Sequence, residues 1–255
     1  MKPQRISDTM DDGVEVMRLF YITGDTHGDF RRIESFCERV NPSPEDVLII
    51  LGDAGINYYG GWRDRNQKKL LAKLPLTLFS IHGNHEQRPA TIPSYHTEIW
   101  NGGEVYVEDE FPNLLFAVDG SYFSFDGVRT FVIGGAYSVD KHYRLANNWG
   151  WWPDEQPDEA IKRRVEQQLD AHGWRADVVL THTCPLRYEP TEVFLSCIDQ
   201  SGVDKSTEEW LDSIEDSLQY KQWYCGHYHT EKVIDKLKFM FESIRAFPTE
   251  ADLRE

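Results

Sequence analysis

Apolar residues fall along this chain in short runs separated by polar, glycine-bearing breaks. Leu19 to Thr23, Val47 to Leu51 and Leu76 to Ile81 are rich in β-branched and aromatic residues, the pattern of buried strands. Between the first two, Phe30, Ile33, Phe36, Cys37 and Val40 recur at helical spacing until Asn41 and Pro42 stop them, giving a strand, helix, strand unit. A second helix is predicted over Trp62 to Leu74, ending before Pro75. The opening of the chain therefore reads as α/β.

The middle changes character. Leu114 to Val118, Tyr122 to Phe125 and Arg129 to Ile133 are separated by Asp119-Gly120 and Asp126-Gly127, which predicts an antiparallel meander. Two further helices are expected. One carries Ile161, Val165 and Leu169; the other opens with Ser206 and Glu209, spaced as a capping box ahead of Leu211, Ile214 and Leu218. Val178 to Thr181 and Gln222 to Cys225 read as strands, and Glu231 to Phe247 as a closing hairpin turning near Asp235, Lys236 and Leu237.

Composition places these elements in one unit. A chain of 255 residues that is 40% hydrophobic and 13% aromatic can bury a sizeable core. The expected organisation is a polar N-terminal extension over 1–17, a single domain over 18–247 and a tail over 248–255. No apolar run is long enough for a bilayer. Met1 to Met17 lacks the basic start and apolar stretch of a secretory signal, so a cytoplasmic protein without a membrane partner is expected. Cys37, Cys184, Cys197 and Cys225 form no CxxC pair and read as reduced thiols. The net charge of −16 disfavours nucleic acid, whose backbone is bound by displacing counterions with Lys and Arg. It leaves a small anionic substrate open, because bound divalent cations reverse the field locally.

Five motifs change the picture: GDTHGD at 24–29, GDAG at 52–55, GNHE at 83–86, THTCP at 181–185 and GHYH at 226–229. Each sits at the end of a predicted strand, where open α/β sheets bind ligands. Singly they are ordinary turn chemistry. Jointly they bring imidazoles, carboxylates and an amide to one place, a costly set to bury without a cation. Asp25 with His27, and His227 with His229, stand two apart, so extended backbone would turn both members of each pair the same way. Asp53 has two oxygens with which to bridge two ions, and Asn84 offers a neutral carbonyl oxygen.

In this order the motifs resemble the signature of the calcineurin-like metallophosphoesterase superfamily, from Gly24 to His229. The resemblance implies a two-sheet mixed β-sandwich flanked by helices, with two divalent ions at one edge. It implies Asp25, His27, Asp53 and His229 on one ion, and Asp53, Asn84, His182 and His227 on the other. His85 would face the substrate, and a phosphate ester would be hydrolysed by a metal-bound hydroxide. The mixed N and O ligand set suits manganese or iron, or else zinc or cobalt, better than calcium. The expected partner is a small phosphorylated substrate or nucleotide; oligomeric state is not legible.

The sequence departs from the phosphoprotein phosphatase branch, whose second motif runs GDxxDRG. Ile56 stands where that branch has the Asp orienting the catalytic His, and Asn57 where it has a phosphate-holding Arg. Replacement cations for the substrate are Arg144 and Arg88, with Arg63 and Arg65 also near the motifs. The stretch 147–157, with three tryptophans, reads as a loop or lid, or else as packing. Two other readings stand beside the enzyme: a non-catalytic metal-binding scaffold of the same fold, and a phosphodiesterase or nuclease restricted to nucleotides.

Overall fold

In the computed structural model, which describes residues 7–9, 15–196 and 198–254, the chain folds into two mixed sheets packed face to face with helices outside each. Of the expected 1–17 extension, β1 (Ser7–Thr9) and β2 (Glu15–Met17) form an antiparallel ribbon; the rest of it, like Cys197, lies outside the described residues. The first half runs β3 (Phe20–Thr23), α1 (Arg31–Val40), β4 (Val47–Ile50), α2 (Trp62–Leu71), β5 (Thr77–Ser80), β6 (His96–Trp100), β7 (Gly103–Val107) and β8 (Leu114–Ala117). The second half runs β9 (Tyr122–Phe125), β10 (Val128–Ile133), α3 (Lys141–Ala146), α4 (Glu159–Ala171), β11 (Val178–Thr181), α5 (Ser206–Glu215), β12 (Gln222–Cys225), β13 (Lys232–Ile234), β14 (Leu237–Phe239) and β15 (Arg245–Ala246).

Strand order is β15-β3-β4-β5-β8-β7-β6 in the seven-stranded sheet and β13-β14-β12-β11-β10-β9 in the six-stranded one. Alternation along the strands builds the layers. Ile22, Ile49, Phe79 and Leu115 face Phe123, Phe125, Val132 and Leu180 between the sheets. Tyr21, Leu48, Ile50 and Leu78 face the other way, onto Ile33 and Phe36 of α1 and Leu71 of α2. On the far side Phe131, Val179 and Trp223 pack against Val165 and Leu169 of α4 and Leu211 and Ile214 of α5. Each such aliphatic side chain contributes about 1.5–3 kcal/mol by leaving water. No helix among the described residues is long and apolar enough to cross a membrane.

Several expectations need correction. The three-strand meander does not form, because β8 and β9 lie in different sheets. Asp119-Gly120 is the crossing point: the Asp119 carboxylate accepts from the Gly134 N–H at 2.6 Å and from Arg88 Nη1 at 2.5 Å, turning the chain into the second sheet. Asp126-Gly127 does turn the β9–β10 hairpin. A further hairpin, β6–β7, turns at Asn101 and Gly102, both with positive φ. The helix predicted to Leu74 ends at Leu71. The capping box at Ser206 is absent; the Asp204 carboxylate accepts the Ser206 N–H instead, at 3.0 Å. The closing hairpin is confined to β13 and β14, and β15 crosses back to pair with β3.

Candidate metal centre

The candidate ligands leave the C-terminal ends of β3, β4, β5, β11 and β12, so both sheets feed one edge of the sandwich. The local backbone is not the extended one expected from the two-residue spacings. His27, Asp53, His227 and His229 have φ of 47°, 47°, 64° and 49°, four of the ten non-glycine residues in the left-handed region among those described. Such strain concentrates where surrounding bonds over-determine it. Here the His27 N–H donates to the Asp53 carbonyl at 2.8 Å, and the His227 N–H donates to Asp25 Oδ1 at 2.9 Å. The tight turns, not strand alternation, bring the side chains together. The loops also touch: a Cβ on Gly83 would lie 2.1 Å from Asp53 Oδ1, and one on Gly226 2.2 Å from Asp25 Oδ1. No other residue fits either position.

Two clusters result. In the first, His27 Nε2 and His229 Nε2 lie 2.8 Å apart, and both point at Asp25 Oδ2, at 3.7 and 3.4 Å. Asp25 Oδ2 is buried with no hydrogen-bond partner among the described residues. In the second, His182 Nδ1 donates to the Leu51 carbonyl at 2.8 Å, which leaves Nε2 with its lone pair facing Asn84 Oδ1 at 2.8 Å. The Asn84 amide cannot turn to relieve this. Ser138 Oγ gives its one proton to Glu155 Oε2 at 2.5 Å and so accepts from Asn84 Nδ2 at 3.0 Å. Asp53 lies between the clusters, with Oδ1 3.6 Å from His182 Nε2 and Oδ2 3.9 Å from His27 Nδ1. His227 packs edge-on against His182 with ring centroids 5.0 Å apart. Convergent lone pairs beside an unpartnered buried carboxylate oxygen are what a divalent cation satisfies, and Asp25, His27 and His229, or Asp25, Asp53 and His182, each bring three ligand atoms within 4.8 Å of one another.

The electrostatics agree with this chemistry. Burial alone would raise the Asp53 carboxyl, but the imidazoles of His182, His85 and His27 outweigh it and hold the group well below the ordinary range. Asp25 is likewise held low against its burial by His229 and His182. Burial pushes His227 down to about 3, keeping its ring neutral and its lone pair available.

The sequence profile of the calcineurin-like phosphoesterase family matches residues 19–231. The chain belongs to that family. No curated protein sequence matches it. Among solved structures it is similar to TT1561 of Thermus thermophilus, at 13% identity over 88% of each chain with a TM-score of 0.48. It is also similar to AQ665 of Aquifex aeolicus, a protein of unknown function, at 16% identity over 68% of this chain and 82% of that one, with a TM-score of 0.32. Phosphoesterases of this calcineurin-like family typically use divalent metals, and the two clusters are candidate holders for them.

This member of the calcineurin-like phosphoesterase family places other contacts at the two departures in its second motif. Ile56 is fully buried against the α1 layer, and Asn57 accepts from the Tyr95 hydroxyl at 3.2 Å. The carboxylate beside His85 comes instead from Asp140, after β10, with Oδ1 3.6 Å from His85 Nε2. Sequence reasoning missed Asp140; its only signal was the Gly134-Gly135 pair marking the loop behind a strand. His85 itself borders the cleft, and burial lowers its imidazole pKa, with Asp53 opposing.

Neither arginine expected to meet phosphate lines the cleft. Arg88 is taken up by Asp119 and by the Asp154 carbonyl, at 2.5 and 2.6 Å. Arg144 is fully buried behind Asn84, donating to Ser138 Oγ at 3.0 Å and to the Asn84 and Gly150 carbonyls at 3.3 and 2.7 Å. Arg65 pairs with Glu110 at 2.8 Å, and Arg63 lies over Tyr59 and Trp62. The 147–157 stretch is a loop whose first residues, Trp149 among them, are exposed and whose remainder packs. Trp151 Nε1 donates to Glu155 at 2.8 Å, and the Trp152 ring closes against Tyr58, with the Arg144 guanidinium near both rings. Cys37, Cys184 and Cys225 are buried free thiols.

Glu208 is a buried carboxyl on the cleft wall that the motifs do not announce. Its Oε1 accepts from Thr183 Oγ1 at 2.7 Å, Oε2 has no partner, and burial pushes its pKa up to about 7 from the ordinary 4.5. A raised folded-state pKa favours the neutral form, so the stability it gives is complete below pH 4.5 and is lost as pH rises to about 7. Glu208→Gln holds the neutral shape at every pH. In urea denaturation the variant is expected to lose less stability than the wild type between about pH 5 and about pH 8, by up to about 3 kcal/mol. Parallel pH profiles for the two proteins would remove Glu208 from this account.

Proposed function

We propose that the protein hydrolyses a phosphate ester at a two-metal site in which Asp25, His27, Asp53 and His229 hold one ion and Asp53, Asn84, His182 and His227 the other. The observation that carries this reading is the pair of 2.8 Å contacts, His27 Nε2 to His229 Nε2 and His182 Nε2 to Asn84 Oδ1, converging on either side of Asp53. When bound, the two cations supply a water acidic enough to attack at neutral pH and neutralise charge on the phosphate oxygens. The chain's own residues do the rest. Asp25 and Asp53 bring two negative charges that would offset half the charge of two divalent cations, leaving the site positive toward phosphate. The Leu51 carbonyl fixes the His182 tautomer, and Ser138 with Arg144 fixes the Asn84 amide. His85 donates a proton to the leaving oxygen, with the Asp140 carboxylate 3.6 Å from its Nε2 to favour the protonated ring.

Manganese or iron is the proposed occupant, on the mixed N and O donor set. The test is hydrolysis of aryl phosphate monoesters and diesters by protein stripped with chelator and reloaded with Mn²⁺. Turnover is expected to vanish on stripping and return on loading. Turnover indifferent to chelator, or a loaded protein inert on both ester classes, would overturn the reading and favour the metal-binding scaffold.

A further inference from the structure

Beyond the metal clusters the site opens into a cleft of about 430 Å³. Its outer wall is the connection between β11 and α5, which contributes Val193, Phe194, Leu195, Ile198 and Val203; Val139, after β10, faces the same space. Leu195, Val139 and Val193 are 63%, 41% and 40% exposed. Apolar side chains gathered uncovered beside a polar centre mark a binding surface more often than a solvated one. The acidic side chains lining the cleft away from the clusters are Asp140, Glu189, Asp204 and Glu208, and no lysine or arginine lines it among the described residues. The neighbouring Lys205 is already paired with Glu189 at 2.6 Å. Within this cleft a second phosphate or a carboxylate on the substrate would therefore meet acid, hydrocarbon and the neutral side chains of Tyr137, Gln200 and Tyr228, with no lysine or arginine to receive it.

We propose that the substrate is an ester carrying a single phosphate whose ester group is an uncharged apolar alkyl or aryl body, seated against the wall of Val193, Phe194, Leu195, Ile198 and Val203 while the phosphate meets the Asp53 clusters. This rests on the phosphoesterase reading and deepens it to a substrate class. The wall is continuous with the clusters: His85, His227 and His229 line the same cleft as Phe194 and Leu195.

The test is a series of n-alkyl phosphates from methyl to hexyl, whose leaving alcohols differ little in reactivity, assayed on the Mn²⁺-loaded full chain. Binding of the matching n-alkyl phosphonates, which are not hydrolysed, is measured by calorimetry. Both kcat/KM and phosphonate affinity are expected to rise by roughly three- to fourfold per methylene. Leu195→Asp, at an exposed position that does not threaten folding, is expected to flatten both slopes, so that hexyl phosphate loses far more turnover and hexyl phosphonate far more affinity than their methyl counterparts. A flat series in both measurements overturns the proposal, as does preference for glycerol phosphate, a nucleoside monophosphate or a nucleoside diphosphate over hexyl phosphate. Absent hydrolysis with a rising phosphonate slope would sink the phosphoesterase reading and leave the apolar site standing.

Discussion

Asp53→Asn is expected to lower kcat/KM by about 10³-fold or more, because a metal's electrostatic contribution is worth several kcal/mol and each 1.36 kcal/mol is tenfold. Asp53 turns one carboxylate oxygen toward each cluster, Oδ1 to His182 and Oδ2 to His27. Its left-handed φ of 47° is tolerated by Asn, whose volume is also the same, so the loop around Gly83 is not disturbed. The Asn84 and His85 backbone keeps its place, and Asn can still accept the His85 N–H bond now 2.7 Å long. What is removed is the charge and the second anionic oxygen. Steady-state assays with saturating Mn²⁺ provide the check; a variant within tenfold of wild type would mean that Asp53 does not carry the chemistry.

His85→Asn is expected to lower kcat by about 10²- to 10⁴-fold while leaving metal content unchanged, since His85 is assigned to the leaving oxygen and to no ion. The size of the loss should depend on the leaving group. An alkoxide needs a proton as it departs, whereas a nitrophenolate hardly does, so the loss is largest on alkyl phosphates and smallest on nitrophenyl phosphate. Asp140→Asn should show the same dependence in weaker form, because Asp140 acts through His85 at 3.6 Å and not on substrate. Equal losses on both ester types would place His85 in binding rather than proton donation.

The parts of the fold that could be read from sequence are those where local pattern and tertiary role agree. β3, β4, β5, β11 and β12 are buried at every or nearly every position, so their apolar runs stand out. The motifs that follow them carry the candidate ligands. What was misread turned on contacts from far along the chain. Asp119-Gly120 has hairpin composition, yet its bonds go to Gly134 and Arg88, and no local pattern distinguishes a turn within a sheet from a crossing between sheets. The β6–β7 hairpin was missed because four of the five residues of β6 are exposed, leaving little alternation to see, although Asn101-Gly102 was a usable signal.

The candidate site was legible in residue identity but not in conformation. Asp25 with His27 fit the extended-backbone rule by spacing, and the left-handed turn that places His27 became visible only with the Asp53 carbonyl that holds it. Arg88 and Arg144 carry charge near the motifs, but burial and fixed partners spend that charge on Asp119, Ser138 and backbone carbonyls. Asp140 and the apolar wall after β11 belong to loops without periodicity, and only their placement in space gives them meaning.

The central claim is that two ions share Asp53. Electron paramagnetic resonance of the stripped protein during Mn²⁺ titration tests it most directly. The account predicts saturation at two ions per chain with an exchange-coupled signal, which Asp53→Asn weakens or abolishes. Saturation at one ion, with the six-line spectrum of an isolated Mn²⁺, would contradict it.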